Sequence, residues 1–368
     1  MATGHGLFRL DDSGLQFVFQ RPEYSGWQAV ELDSEENVWF GGQDGVFRLH
    51  DNNVEPMPVL GTLPGGRVYA VAVNGDNTVW LRSGSGISHL VGKRIYNFAE
   101  ESLAIEAAYP WTGRDSLWPV APDGTLWLLV EGALWGYNQS GWKVVALDTT
   151  SDEHIKSYTA GANGMLVVAG NSGLHIYTLD QGWRLVPYPQ GTDNIGGMIY
   201  DASTNTIWAR NYFSDSPDRV IRYNLDTGEW TLFGEEHRII PFWSFNGVGL
   251  SPAGEIWAAN ATGSVVVYRA DGTWQSIIAS ADFLGVWGFG GIHFGNSGDL
   301  WLTTIENCGL ESVCSTGLIY YDGTSWMRFT AENSGLSDNW ISDVSVDSAG
   351  NAWLATSIGL QRAPLPLP

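Results

Sequence analysis

The sequence predicts an all-β fold: a single β-propeller of eight four-stranded blades, with seven as the alternative count. Three observations carry that expectation. Gly (46) and Trp (19) abound among 368 residues while charged residues make up only 16%, a balance that favours turns and strands over helices. A phrase of turn, small apolar residue and Trp recurs: NVWFGG, TVWLRS, TLWLLV, TIWARN, EIWAAN, DLWLTT and NAWLAT, anchored at Trp39, Trp80, Trp127, Trp208, Trp257, Trp301 and Trp353. Val167 in GMLVVAG takes the vacant slot between Trp127 and Trp208, which makes eight units. Around each anchor, two-residue alternation is broken by Asp-Gly, Ser-Gly and Gly-Asp turns, the pattern of four short antiparallel strands. Forty-odd residues with four strands is the size of a propeller blade.

In chain order, the blades are expected at residues 27–59, 67–98, 112–145, 154–186, 195–233, 242–277, 287–329 and 340–362, the last completed by 5–19. The ends share a phrase, ATGHGLFR at 2–9 and ATSIGLQR at 355–362. The final repeat holds three strands, ISDVSV, NAWLAT and GLQR, and the N-terminus offers GLFRL and LQFVF. Pairing Leu15–Phe19 with the C-terminal strands would close the ring and remove two open edges. Either Gly6–Leu10 or Gly359–Arg362 then serves as the third strand of that blade. One helix is expected, FAEESLAIEAAY at 98–109, and the domain (1–363) ends in a Pro-rich tail at 364–368.

The net charge of −22 argues against nucleic acid, whose phosphates need Lys and Arg to release counterions. No apolar run is long enough to span a bilayer, so no membrane insertion is expected. No basic-then-apolar secretory signal is legible at the N-terminus. Cys308 and Cys314 fit either free structural thiols or a local disulfide, which would belong outside the cytoplasm.

The stretch FTAENSGLSDNWISDVSVDSAGNAWLATSIGLQR (329–362) resembles the repeat of bacterial two-component regulator propellers. There an Asn-Ser-Gly-Leu turn leads into an Asp-x-x-Gly-x-x-Trp strand and then a Gly-Leu strand. The resemblance implies a ligand-sensing or interaction propeller, often extracytoplasmic, and the family has no fixed binding motif to carry over. Virginiamycin B lyase-like propellers share the Trp strand but carry a Glu three residues beyond one such Trp. Here those positions are Gly42, Ser83, Val130, Gly170, Asn211, Asn260, Thr304 and Thr356, none acidic.

Fourteen of the 19 Trp fall in strand slots and read as packing between blades. Five remain, Trp27, Trp111, Trp243, Trp287 and Trp340, all just upstream of a first strand, where the central channel opens. Trp243, Trp287, Trp340 and Trp27 fall on blades 6, 7, 8 and 1, expected to be consecutive in a closed ring. They form a candidate aromatic arc for a sugar, an aromatic ligand or a peptide; wedges between blades are the alternative. Two long second-to-third-strand loops, 211–219 with Tyr212 and 305–317 with Glu306, open on the same face. Among residues expected to line the channel, Glu31, His293 and Asp343 are candidates for acid–base work, against a reading as solvated lining. No cofactor is expected; a divalent cation is compatible with Asp215 and Asp218.

The preferred expectation is therefore a non-catalytic propeller binding a carbohydrate, peptide or protein on its channel-opening face. The alternatives are a polysaccharide or lactone lyase or hydrolase using the acid–base cluster, and a structural subunit whose acidic surface meets a basic neighbour.

Overall fold

The computed structural model describes residues 2–3, 6–11, 14–19, 27–32, 37–42, 45–50, 53–57, 59–61, 67–74, 76–83, 86–99, 118–130, 133–138, 141–148, 154–192, 195–211, 219–234, 245–260, 263–278, 286, 288–295, 297–307 and 313–364. The fold they show is an all-β propeller of antiparallel sheets. Its sheets are numbered here by the repeat that forms each. The first holds Trp27–Leu32, Val38–Gly42, Gly45–His50 and Asn53–Met57. The second runs Val68–Val73, Val79–Ser83, Gly86–Val91 and Arg94–Ala99, with Val59–Gly61 added at its outer edge. Six of the seven Trp anchors and Val167 lie in second strands of their sheets; Trp127 lies in Leu126–Val130, the first of the three strands of its sheet, with only the bridge Val120–Leu126 before it. Val167 sits in Leu166–Ala169, fully buried, in the slot that the other repeats fill with Trp.

The sequence builds these sheets with two recurrent devices. At each of five third-to-fourth-strand turns a Tyr faces a Trp across the ladder: Tyr137–Trp142, Tyr177–Trp183, Tyr223–Trp230, Tyr268–Trp274 and Tyr321–Trp326. Their ring centroids are 4.2 to 5.3 Å apart, a cross-strand aromatic contact that fixes register. The second device is the acidic turn. Asp76, Asp123, Asp271 and Asp322 each accept the amide of the Thr two residues on. Hydrogen bonds from the Thr273 hydroxyl and amide hold Asp271 below the usual carboxylate range. Part of the acidic excess is thus spent inside turns.

Seven sheets, the second to the eighth, form a cycle of apolar interfaces. Trp80 and Phe98 of the second pack on Leu126 and Leu128 of the third. Trp127 of the third meets Leu166 and Val168 of the fourth. Leu174 meets Ile207, Trp208 meets Val248, Val265 meets Phe289 and Trp301 meets Leu354 at the next four interfaces. The eighth sheet, Ile341–Val346, Asn351–Thr356 and Gly359–Pro364, returns to the second: Trp353, Ala355 and Leu360 pack on Val68, Val71 and Leu81.

That last interface corrects two expectations. The eighth sheet neighbours the second rather than the first, and among the described residues the clusters that link neighbouring sheets join the second to the eighth and hold no residue of the first. Leu15–Phe19 does not pair with the C-terminal strands; it pairs with Gly6–Asp11 in a small N-terminal sheet, which Ala2–Thr3 completes. Gly359–Pro364, not Gly6–Leu10, is the third strand of the eighth sheet, pairing Thr356 with Gly359. The physical reason lies at the inner edge of Val68–Val73, whose amides need acceptors. The Val71 amide donates to Asp343 Oδ2 at 2.9 Å and the Val73 amide to Ser345 Oγ at 3.1 Å. The Ser348 amide donates to Asn77 Oδ1 at 2.9 Å farther along. Two acceptors spaced two residues apart match the strand period and register the eighth sheet on the second.

The expected helix begins wrongly: Phe98 and Ala99 belong to the strand Arg94–Ala99, and the rest of 98–109 lies outside the described residues. Among the described residues, no helix is long and apolar enough to cross a membrane.

Candidate functional site

The innermost strands share an irregularity near their starts. Register shifts leave Tyr69 unpaired in the second sheet, Asn246 in the sixth and Ser342 in the eighth, as β-bulges. A bulge re-aims the side chain it carries, and Tyr69 is accordingly 41% exposed although Val68 and Ala70 beside it are buried.

Next to Tyr69, Arg67 reaches across the seam between the second and eighth sheets. Its guanidinium carbon lies 4.4 Å from the centroid of the Trp340 ring and 5.3 Å from that of Tyr69. Trp340 is half-buried, and the chain around it is tied down. The Asn339 carbonyl accepts from the Gly317 amide at 2.8 Å, and the Trp340 carbonyl accepts from the Ser357 amide at 3.3 Å. The Ile341 amide donates to Ser315 Oγ at 3.3 Å. The backbone that carries the ring is therefore tied to both the seventh and the eighth sheets.

Deeper along the same strands, His293 and Asp343 meet. His293 Nε2 lies 3.5 Å from Asp343 Oδ1, and both side chains are buried. Besides the Val71 amide, Asp343 accepts its neighbour Val344's amide at 2.9 Å. Burial pushes Asp343 up to about 7 against the pull of those two amides, and burial pushes His293 down to about 4. The arrangement favours two neutral groups at mildly acidic pH. Glu31 does not join them: it is exposed on Trp27–Leu32, in the first sheet, opposite Trp39. Two of the three acid–base candidates therefore converge, and their donors and acceptors are turned to neighbouring strands.

Of the aromatic arc, Trp340 is placed at the seam as described. Trp27 opens a strand of the first sheet, so it does not continue the arc past Trp340; Arg67 and Tyr69 of the second sheet do. Trp111, Trp243, Trp287, Tyr212, Asp215, Asp218 and Cys308 lie outside the described residues. Glu306 pairs with Cys314 where Leu300–Asn307 meets the short strand Val313–Cys314, so the 305–317 loop begins as a ribbon. Among the described residues, no group of three His, Cys, Asp or Glu side chains is placed to hold a metal.

Arg67 and Tyr69 are not marked by the pattern of Trp residues upstream of the first strands. A signal was present. Arg67 stands 13 residues before Trp80, as Trp340 stands 13 before Trp353, so the two residues occupy equivalent places in their repeats. At two of the positions three beyond an anchor, a threonine ties down the start of the next strand. Thr304 Oγ1 donates to the Gly317 carbonyl at 3.0 Å and accepts the Thr316 amide, and Thr356 Oγ1 donates to the Gly359 carbonyl at 2.8 Å.

No protein-family model matches the chain, and no curated protein matches it in sequence. Solved structures do match in fold. The extracellular domain of a putative hybrid two-component system from B. thetaiotaomicron superposes with a TM-score of 0.59 at 17% identity over 99% of this chain. The chain spans 50% of that domain's length. A catalytically inactive virginiamycin B lyase from Staphylococcus aureus, solved with quinupristin, gives 0.56 at 14% identity over 82% of this chain and 96% of its own. YCF48 bound to D1 peptide gives 0.57 at 13% identity over 86% and 98%. The propeller fold is common to all three. The first of them is in keeping with the resemblance read from residues 329–362.

Proposed function

We propose that this protein is a non-catalytic recognition module, taking a carbohydrate, peptide or protein on its channel-opening face. The observation that carries the reading is the pair of aromatic rings, Trp340 and the exposed Tyr69, both close to the Arg67 guanidinium where the innermost strands begin. Rings on anchored backbone cost little entropy to use. Trp243 and Trp287 immediately precede the innermost strands of the sixth and seventh sheets, and in this reading they extend the same surface, with Tyr212 and Glu306 on the flanking loops. Extracytoplasmic placement accompanies it, as does a Cys308–Cys314 bridge across the loop. A likeness in fold to a sensor ectodomain and to a peptide-bound propeller supports the reading without choosing the ligand.

The acid–base alternative is favoured by one observation, the 3.5 Å approach of His293 to Asp343. It is disfavoured by their burial and by the two amides that already occupy the carboxylate. The test is a glycan and peptide array probed with the wild-type protein and with Trp243, Trp287 and Trp340 replaced together by alanine. Wild-type signal on defined array members, lost in the triple variant at unchanged melting temperature, is the expected result. Signal retained by a folded triple variant refutes the surface.

A further inference from the structure

We propose that the Trp340–Arg67–Tyr69 stack is a carboxylate-binding site, which gives the recognition face a ligand chemistry and rests on the reading above. The protein carries 18 Lys and Arg against 40 Asp and Glu, so an arginine here has carboxylates in excess to choose from. The other arginines stacked on tryptophans have taken polar partners. Arg222, over Trp208, donates to Thr231 Oγ1 at 3.1 Å, and Arg362, over Trp353, lies 3.5 Å from Asp347. Arg67 is different. Among the described residues its guanidinium makes no hydrogen bond or ion pair, and its Nε is sealed from solvent with no partner.

With its Nε–H edge closed to solvent, Arg67 can be reached by a ligand only through its terminal N–H groups. Trp340 and Tyr69 lie 4.4 and 5.3 Å from its guanidinium carbon, and the planar fork of terminal N–H groups is the element without an acceptor among the described residues. That fork matches the two oxygens of a carboxylate. Tyr69, extruded by its bulge, and Trp340, on backbone tied to the seventh and eighth sheets, provide ring surface for the carbon skeleton next to the acid. A uronic acid and an acidic amino-acid residue present the same chemistry: a carboxylate beside a compact, partly apolar body.

The experiment is isothermal titration of the full chain with D-galacturonate and with N-acetyl-L-glutamate. Their neutral counterparts, D-galactose and N-acetyl-L-glutamine, are titrated alongside. At least one acid is expected to bind saturably while its neutral counterpart does not; which acid binds separates a sugar source from a peptide source. Arg67→Gln should weaken that binding by about tenfold or more, and Arg67→Lys by less, since it keeps the charge and loses the fork. Should Arg67→Gln fail to fold, Tyr69→Ala serves instead, because that ring is largely solvated and its removal takes one wall from the site. No binding of either acid at millimolar concentration overturns the proposal, as does undiminished binding by folded Arg67→Gln or Tyr69→Ala. Binding of a neutral probe that needs Trp340 and not Arg67 would defeat the carboxylate site and leave the recognition face standing.

Discussion

Replacing either member of the His293–Asp343 pair should tilt the protein's pH–stability profile, and in opposite directions. Burial raises Asp343 from 3.8 to about 7 and lowers His293 from 6.5 to about 4. At about 1.4 kcal/mol for each tenfold in proton affinity, the buried Asp343 charge costs about 4 kcal/mol above pH 7. As pH falls from 7 towards 4, folded Asp343 takes up its proton before the unfolded chain does, so this term raises stability on acidification. His293 works the other way. Below 6.5 the unfolded imidazole protonates while the folded one stays neutral down to about 4, which removes about 3 kcal/mol over that range.

In the wild type the two slopes largely cancel between pH 4 and 6.5. Asp343→Asn leaves the histidine slope, so stability relative to wild type should fall by about 3 to 4 kcal/mol on acidification across that window. His293→Gln leaves the aspartate slope, and relative stability should rise by a similar amount. Surface carboxylates such as Asp271 contribute equally to all three proteins and drop out of the difference. Urea unfolding at several pH values from 4 to 8 measures it. Profiles for both variants that run parallel to wild type would refute the neutral buried pair.

Two further predictions test the packing. Trp301→Ala, at a side chain with no exposure, should cost about 3–5 kcal/mol in urea unfolding, whereas Trp326→Ala, half-buried on Tyr321, should cost about 1–2 kcal/mol; equal costs would contradict the assignment of anchors to the interfaces. Gly317→Ala should cost about 3 kcal/mol or more, since φ there is +110° and a Cβ would lie 2.2 Å from the Phe329 carbonyl oxygen; a variant melting within a degree or two of wild type would contradict that close approach.

Repeats are legible in a sequence because packing imposes them locally. The Trp anchors, the Val167 substitute and the Gly-led third strands each answer to contacts within a sheet or between adjacent ones, and each left a mark at fixed spacing. Closure leaves no such mark. The first repeat has the same strands as the rest, and the docking of the eighth sheet on the second rests on long-range contacts, among them the amides of Val71 and Val73 met by Asp343 and Ser345. That choice joins residues 272 apart in the chain, a distance over which no periodicity speaks. The site is less legible: a tryptophan pattern marks Trp340 and not Arg67 at the equivalent place, although a cation close to two rings is as specific a feature as a third ring.

The account depends on the eighth sheet closing upon the second, since that seam assembles Trp340, Arg67 and Tyr69. The most direct measurement is the thermal unfolding of residues 58–368 alone, without the N-terminal and first sheets. A soluble monomer that melts in one cooperative transition within a few degrees of the full chain is the predicted result. A chain that aggregates or melts without cooperativity once those sheets are removed would contradict it.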